Sequence, residues 1–138
     1  MNMGNVYTEI TLKNVKDLMR VEDGIIGEPE IRLTTLTALV DTGAWTLVIS
    51  EAVREELGLE VRGERLASLA NNATEIVKMV DPVEVQWKDR TMTCQPVLIP
   101  GADEVLLGAI PLEDMDLIVD PGKQELIGRH GDKIIKRV

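Results

Sequence analysis

Phenylalanine is absent from this 138-residue sequence, and the remaining aromatics amount to two tryptophans and one tyrosine. A core without aromatic anchors has to be packed by Val, Ile and Leu, whose branched side chains favour strands. Cysteine occurs once, at Cys94, which rules out an internal disulfide and fits a reducing compartment. Histidine also occurs once, at His130, so no Cys/His zinc set can be assembled. A Ser-His-Asp triad would have to draw on His130 in the polar tail, a poor place for a buried base. Glycine-rich phosphate loops and calcium-loop spacing are missing as well, so no cofactor is expected. Basic residues are outnumbered 15 to 24 by acidic ones, and the net charge of −9 argues against nucleic acid or an anionic membrane as a partner. No apolar run approaches the roughly 18 residues of a membrane span. Glu9, Lys13, Lys16 and Asp17 interrupt the first twenty residues, so no signal peptide is read there and a cytoplasmic location is expected.

What is present is mostly strand. The length predicts one domain over residues 1–138. Val6, Thr8, Ile10 and Leu12 share one face of a half-buried strand. Gly24, Gly27 and Pro29 punctuate a loop over 13–30, with a short strand expected through Leu18 to Val21. A long strand is expected from Ile31 to Val40, and another through Trp45-Thr46-Leu47-Val48-Ile49. Ser50 then reads as an N-cap and Gly58 as the C′ glycine of a two-turn helix. Asn71-Asn72 predicts a tight turn between arms at 66–70 and 74–80. Lys88-Asp89-Arg90 joins a second hairpin, with arms at 83–87 and 91–99. Val105-Leu106-Leu107-Gly108 suits a strand buried on both faces. Pro111 opens a short helix to about Leu117, and Pro121-Gly122 turns a last hairpin.

With the other constellations excluded, carboxylate chemistry remains. Asp41-Thr42-Gly43 closes the apolar run that ends at Val40. The Thr42 hydroxyl can bond across to neighbouring backbone, and the Gly43 amide can donate to the Asp41 carboxylate. Gly43 is also expected to turn the chain through positive φ. The tripeptide alone is weak evidence, since average composition produces it in roughly a few per hundred chains of this length. Its bland reading is a turn between two strands, with Asp41 capping its own backbone.

Val40-Asp41-Thr42-Gly43-Ala44, followed some sixty residues later by Leu106-Leu107-Gly108 and a short helix, resembles the retropepsin-like aspartic proteases. The stretch 105–120 is more similar to the cellular and bacterial members than to the viral ones, and the resemblance places the core at about 31–127. It implies a mainly β fold: a small closed β-barrel of the acid protease type with a flap hairpin and one or two short helices. It makes Asp41 catalytic, gives Thr42 a hydroxyl bond across a dimer, and has Gly43 orient the carboxylate and admit substrate. Residues 66–79 become the flap, with Asn71 and Asn72 at its tip. Viral members often carry acidic residues after Asp-Thr-Gly-Ala and a matching Arg after the apolar-Gly motif. Trp45-Thr46 and Ala109-Ile110 stand there instead, so acid and partner are lost together and no charge is stranded.

The resemblance also carries a claim about assembly. Acid protease chemistry takes two carboxylates sharing one proton, and the chain has one Asp-Thr-Gly; Asp81 and Asp120 each precede proline and read as turns. A twofold homodimer with Asp41 meeting its mate is therefore expected. Chain-end strands around 6–12 or 118–127 would serve its interface. Ala44, Ile76, Val77 and Leu107 could line an apolar cleft for a peptide or protein substrate, though such residues are more often plain core. Two other readings stand beside the endopeptidase: a non-catalytic homodimer binding extended peptides in the same cleft, and a β-barrel interaction module whose Asp-Thr-Gly is a turn.

Overall fold

Alternation of apolar and polar residues at Val6 to Asn14 buries Val6, Ile10, Leu12 and Asn14, and this run forms β1 (Tyr7–Asn14). The computed structural model describes residues 4–68, 71–99 and 101–138. In chain order β1 is followed by α1 (Val15–Glu22), a 3-10 turn at Glu28–Glu30, β2 (Leu33–Val40), β3 (Val48–Ile49) and α2 (Glu51–Leu57). Then come β4 (Val61–Ser68), β5 (Thr74–Val80), β6 (Val83–Trp87), β7 (Arg90–Cys94), β8 (Val97–Leu98) and β9 (Leu106–Leu107). The chain closes with α3 (Ala109–Asp114), β10 (Leu117–Asp120) and β11 (Glu125–Gly128).

The fold is mainly β, as expected. Nine strands form one sheet in the order β4-β5-β8-β3-β9-β2-β1-β6-β7, curled into a half-barrel, and β10-β11 form a separate hairpin. β1 and β2 pair antiparallel with Ile10 opposite Leu36, whereas β2 and β9 run parallel with Val40 opposite Leu107. β3 flanks the other edge of β9 antiparallel, Val48 opposite Leu106. Consecutive strands β2 and β3 are thus separated by β9, and the segment joining them must pass over its end. The main core gathers Ile10, Leu12, Leu47, Ile49, Leu107 and Met115. A smaller cluster of Val48, Ala67, Val77, Met79 and Val97 lies beneath the β4-β5 hairpin. Among the described residues no helix is long and apolar enough to cross a membrane.

Several boundaries differ from the sequence expectations. The strand expected through Leu18 to Val21 is helix α1 instead. Asn14 caps it, its side chain accepting from the Asp17 amide at 3.1 Å. The buried residue of α1 is Asp17, while Val15, Leu18 and Val21, which share one side of the helix, are only half-buried, so the apolar signal of this two-turn helix is short. The strand expected at 45–49 shortens to β3, because Trp45 bonds elsewhere. The arm expected at 91–99 splits into β7 and β8 at Gln95-Pro96, since proline has no amide for the ladder. α3 starts two residues before Pro111, which sits in the first turn where its missing N–H costs nothing. β4 begins five residues earlier than Leu66. Its side chains are exposed except Ala67, so no alternation marks it. The end of the expected arm at 66–70 falls on residues outside those described. α2, by contrast, has the predicted Ser50 cap (Val53 amide to Ser50 Oγ, 3.2 Å) and a left-handed Gly58 at its end.

Buried carboxylates paired with half-exposed cations fasten the periphery to the core. Asp17 accepts from Arg32 Nε at 2.9 Å, from the Arg32 amide at 3.0 Å and from Arg20 at 3.1 Å, tying α1 to the segment entering β2. Arg32 passes directly over Gly58, where a Cβ would collide with its guanidinium. Hydrogen bonds from Arg32 outweigh the opposing effect of burial and hold the Asp17 carboxyl at about 2, against 3.8 for a free group. A depressed folded value adds stability above the unfolded value and loses it as pH falls through the folded one. Part of Arg32 remains in water, which screens the pair. Asp17→Asn should therefore cost about 1–2 kcal/mol at neutral pH. In urea melts, the gap from wild type should close between about pH 4 and pH 2; an unchanged gap at pH 2 would mean the charge is not responsible.

Candidate active site

Asp41 is the first residue past β2, and the main chain around it is held on both sides. Its amide donates to Leu107 O at 3.0 Å, continuing the parallel ladder of β2 and β9 one step beyond the strands. Its carbonyl accepts from the Ala44 amide at 3.1 Å, which closes residues 41–44 into a turn. The Gly43 amide donates to Asp41 Oδ1 at 2.9 Å, as the residue types alone suggested. Oδ2 has no hydrogen bond among the described residues, and no cation there pairs with the carboxylate. Asp41 is half-buried, while Thr42 and Gly43 are exposed beside it.

Gly43 does not have the positive φ expected of it; the described glycines in that region are Gly4, Gly24, Gly58, Gly101 and Gly131. Its use here is space, since a Cβ would sit 3.2 Å from Asp41 Oδ1, in the path of the amide that orients the carboxylate. Gly108 is the tighter position. It follows β9 and runs under the Asp41 loop, where a Cβ would strike Thr46 O, lie 2.6 Å from Ala44 O and 2.9 Å from Thr46 N. Immediately beyond it the amides of Ala109 and Ile110 donate to Ala44 O at 2.8 Å and Trp45 O at 2.9 Å. The loop bearing Asp41 is thereby stapled to the start of α3 by main-chain bonds alone.

The other expected site residues separate into two groups. Ala44 is half-buried in the loop itself. Asn71 and Asn72 form the exposed tip of the β4-β5 hairpin: Asn71 Oδ1 accepts from the Ala73 amide at 3.0 Å, and Asn72 takes φ 65°. Ile76 is 52% exposed and pairs with Leu66, itself 75% exposed. Val77 and Leu107 are fully buried, at 0% each. That corrects the expectation of a shared cleft wall. Neighbours on a strand point to opposite faces, so Ile76 and Val77 cannot line one surface. Val77 faces the small cluster under the hairpin, and Leu107 belongs to the main core. Both support the loop and hairpin from behind.

The remaining reactive groups are occupied. Burial pushes the Cys94 thiol up to about 12, against weaker opposing bonds from Thr46 and the Leu47 backbone, so it is a poor nucleophile. His130 Nδ1 lies 2.6 Å from Asp116 Oδ2, and the same oxygen accepts from the Ile135 amide at 3.1 Å. Arg90, also buried, bonds Met115 O at 2.7 Å and Asp116 O at 3.0 Å. The His130 and Ile135 contacts fasten the tail to the end of α3, and Arg90 fastens β7 to it. Sequence reasoning had singled out Leu106-Leu107-Gly108, but not that both chain segments 44–45 and 109–110 would be joined through their backbones. Backbone bonds leave no mark on residue type.

A family model described as "gag-polyprotein putative aspartyl protease" matches residues 28–124, over two thirds of the chain. Among solved structures, a retropepsin-like aspartic protease from Rickettsia conorii is similar at 14% identity, with 87% of this chain and 79% of that one covered and a TM-score of 0.49. The EIAV protease, solved with the inhibitor HBY-793, is similar at 26% identity, with 59% of this chain and 77% of that one covered and a TM-score of 0.42. No curated protein matches the sequence.

Gly108→Ala tests the close passage under the loop. It should destabilise the fold by about 3 kcal/mol, because the obstructing atoms are backbone and cannot turn aside. Gly63→Ala, where a Cβ would meet nothing within 4 Å, is the matched control and should leave the melting temperature within about 2 °C. Equal melting temperatures for the two variants would show that the loop yields to a methyl group.

Proposed function

The chain belongs to the retropepsin-like, gag-type family of aspartic proteases, and from that premise we propose an endopeptidase whose active site is completed by a second copy. The observation that carries this reading is the state of Asp41: a carboxylate fixed through Oδ1 by the Gly43 amide, anchored through its backbone to β9, with Oδ2 unbonded and no cation beside it among the described residues. A turn-closing carboxylate can leave one oxygen open too, as Asp120 does when its Oδ1 accepts from the Gly122 amide at 2.9 Å; what sets Asp41 apart is a loop braced by β9 and by the amides at the start of α3.

In the proposed mechanism Asp41 meets its mate across a twofold axis, and the two carboxylates share one proton. At about 3 Å and an effective dielectric of about 20, two full charges would repel by roughly 5 kcal/mol, so loss of the second proton is postponed to higher pH. The ionised carboxylate accepts a proton from the bound water as its oxygen attacks the peptide carbonyl carbon. The protonated carboxyl donates to the carbonyl oxygen, giving a tetrahedral diol. Collapse of the diol re-forms the carbonyl and breaks the C–N bond, with a proton delivered to the departing nitrogen. In this reading Thr42 bonds across to the partner loop, and Gly43 orients the carboxylate while leaving room for substrate. The β4-β5 hairpin, with Asn71 and Asn72 at its tip, covers an extended peptide held by main-chain bonds beside Ala44. The alternative, a dimer that only binds peptides, would have no use for a paired carboxylate.

Asp41→Asn removes the group that exchanges the proton and should lower peptide cleavage by about 10³-fold or more while the melting temperature stays near that of wild type. Wild type should show a bell-shaped rate profile with its maximum in mild acid, measured on a mixed peptide library between about pH 3 and pH 8. Cleavage that persists in the mutant, or is absent across that range in a verified dimer, defeats the catalytic reading.

A further inference from the structure

Trp45 and Ile110 are large apolar side chains left in water beside the Asp41 loop, 38% and 47% exposed. The other tryptophan, Trp87, is buried with its N–H bonded to Thr8 Oγ1 at 2.8 Å, so exposure is not general for this residue type here. The inward residues of α3, Pro111 and Leu112, are buried, which leaves Ile110 on the outer side. The bond from the Ile110 amide to Trp45 O at 2.9 Å locks the two backbones together. The bond between the Ala44 amide and Asp41 O keeps the Trp45 Cα within about 8 Å of that carbonyl.

We propose that Trp45 and Ile110 are the apolar anchor on which a second copy of this chain docks. The inference rests on the paired-carboxylate reading, in which the two Asp41 side chains approach to about 3 Å. Side chains rigidly attached within a few ångströms of that loop then enter the space the partner fills. Charge points to the same face. Each copy carries −9, so two copies repel over most of their surfaces. Residues 41–46 and 108–112 contain no ionisable side chain except Asp41 itself, which the shared proton half neutralises; Glu113 and Asp114, exposed on the same side of α3 as Ile110, form an acidic rim, with Asp114 paired to Lys136 Nζ at 3.1 Å. A small apolar patch with an acidic rim is where two such molecules can meet, and the rim adds to the repulsion that salt screens. Trp45, with its large apolar area and an N–H to place, is a residue type that dominates binding at the centre of interfaces. An interface built this way tightens when salt screens the repulsion between acidic bodies, the opposite of one held by ion pairs.

The experiment is sedimentation equilibrium on the full chain in low salt and in about 1 M NaCl, where the Debye length is about 3 Å, with cleavage of the peptide library followed in parallel. The wild-type dimer should tighten in high salt. Trp45→Ala should raise its dissociation constant at least about tenfold. Ile110→Glu, at an exposed position in the first turn of α3 where an acid suits the helix, should leave a folded monomer at micromolar concentration. Circular dichroism melts verify that both variants fold. Variants that keep the wild-type dissociation constant overturn the inference, whatever happens to cleavage, and lost cleavage in such a dimer would make the two side chains substrate contacts. Dissociation of wild type by salt overturns it as well. A wild type that stays monomeric while cleaving peptides removes both this interface and the shared dyad. A salt-tightened wild-type dimer that both substitutions disrupt but that never cleaves supports the interface and removes only the peptidase.

Discussion

The passage of β9 between β2 and β3 is the constraint on which the rest of the site depends. Two strands consecutive in the chain are forced apart by one that arrives some sixty residues later, and the loop joining them has to arch over Gly108. Asp41 is held because its amide, its carbonyl and the carbonyls of Ala44 and Trp45 are all engaged in that crossing. Main-chain bonds of this kind are insensitive to side-chain changes but intolerant of added bulk. A single glycine is therefore decisive, while the neighbouring Leu106, Leu107 and Ala109 need only be apolar and of suitable size. The loop can carry exposed residues at its surface because its geometry is fixed from beneath.

A second pattern follows from the shortage of aromatic residues. The interior is filled by aliphatic side chains, and the attachments of helices and tail to that interior are polar. Asp17 fastens α1, Asp81 receives Arg62, Lys16 and the Glu60 amide, and Asp116 receives His130 and the Ile135 amide. Each carboxylate is buried and each is matched, so none is left as an uncompensated charge. Burial alone would push Asp81 up, yet its bonds to Arg62, Glu60 and Lys16 bring it below the ordinary carboxylate value. Asp41 differs from these three: it is half-exposed, its contacts are to backbone, and one oxygen is left open.

Much of this was legible in the residues, and the failures share a cause. The alternation at 6–12, the Ser50 and Gly58 caps of α2 and the Pro121-Gly122 turn are local patterns with local physics behind them, whereas Asp41-Thr42-Gly43 and Leu106-Leu107-Gly108 were associated through the family resemblance. Helix α1 shows only a short apolar edge of Val15, Leu18 and Val21, and its buried anchor is an aspartate whose partner, Arg32, is fifteen residues away. β4 was half hidden because an exposed strand at the sheet edge has no apolar face to alternate. Val77 and Leu107 could be read as cleft wall or as plain core, because an aliphatic residue looks the same in sequence whichever it faces; in the fold both are buried.

Residue identity alone determined which constellations this protein lacks: one Cys and one His cannot make a Cys/His zinc set, and a single Asp-Thr-Gly means that the carboxylate pair proposed above draws on a second chain. It also determined the strand-rich core, since aliphatic content and alternation are properties of composition and order. Tertiary structure decided which carboxylate is open, which glycine is indispensable and which apolar side chains remain outside. Those outcomes depend on segments far apart in the chain meeting at bonding distance: Leu107 with Asp41, Ile110 with Trp45, Gly108 with Thr46. The backbone groups that make these contacts are the same in every residue, so their placement can be read only once the chain is folded.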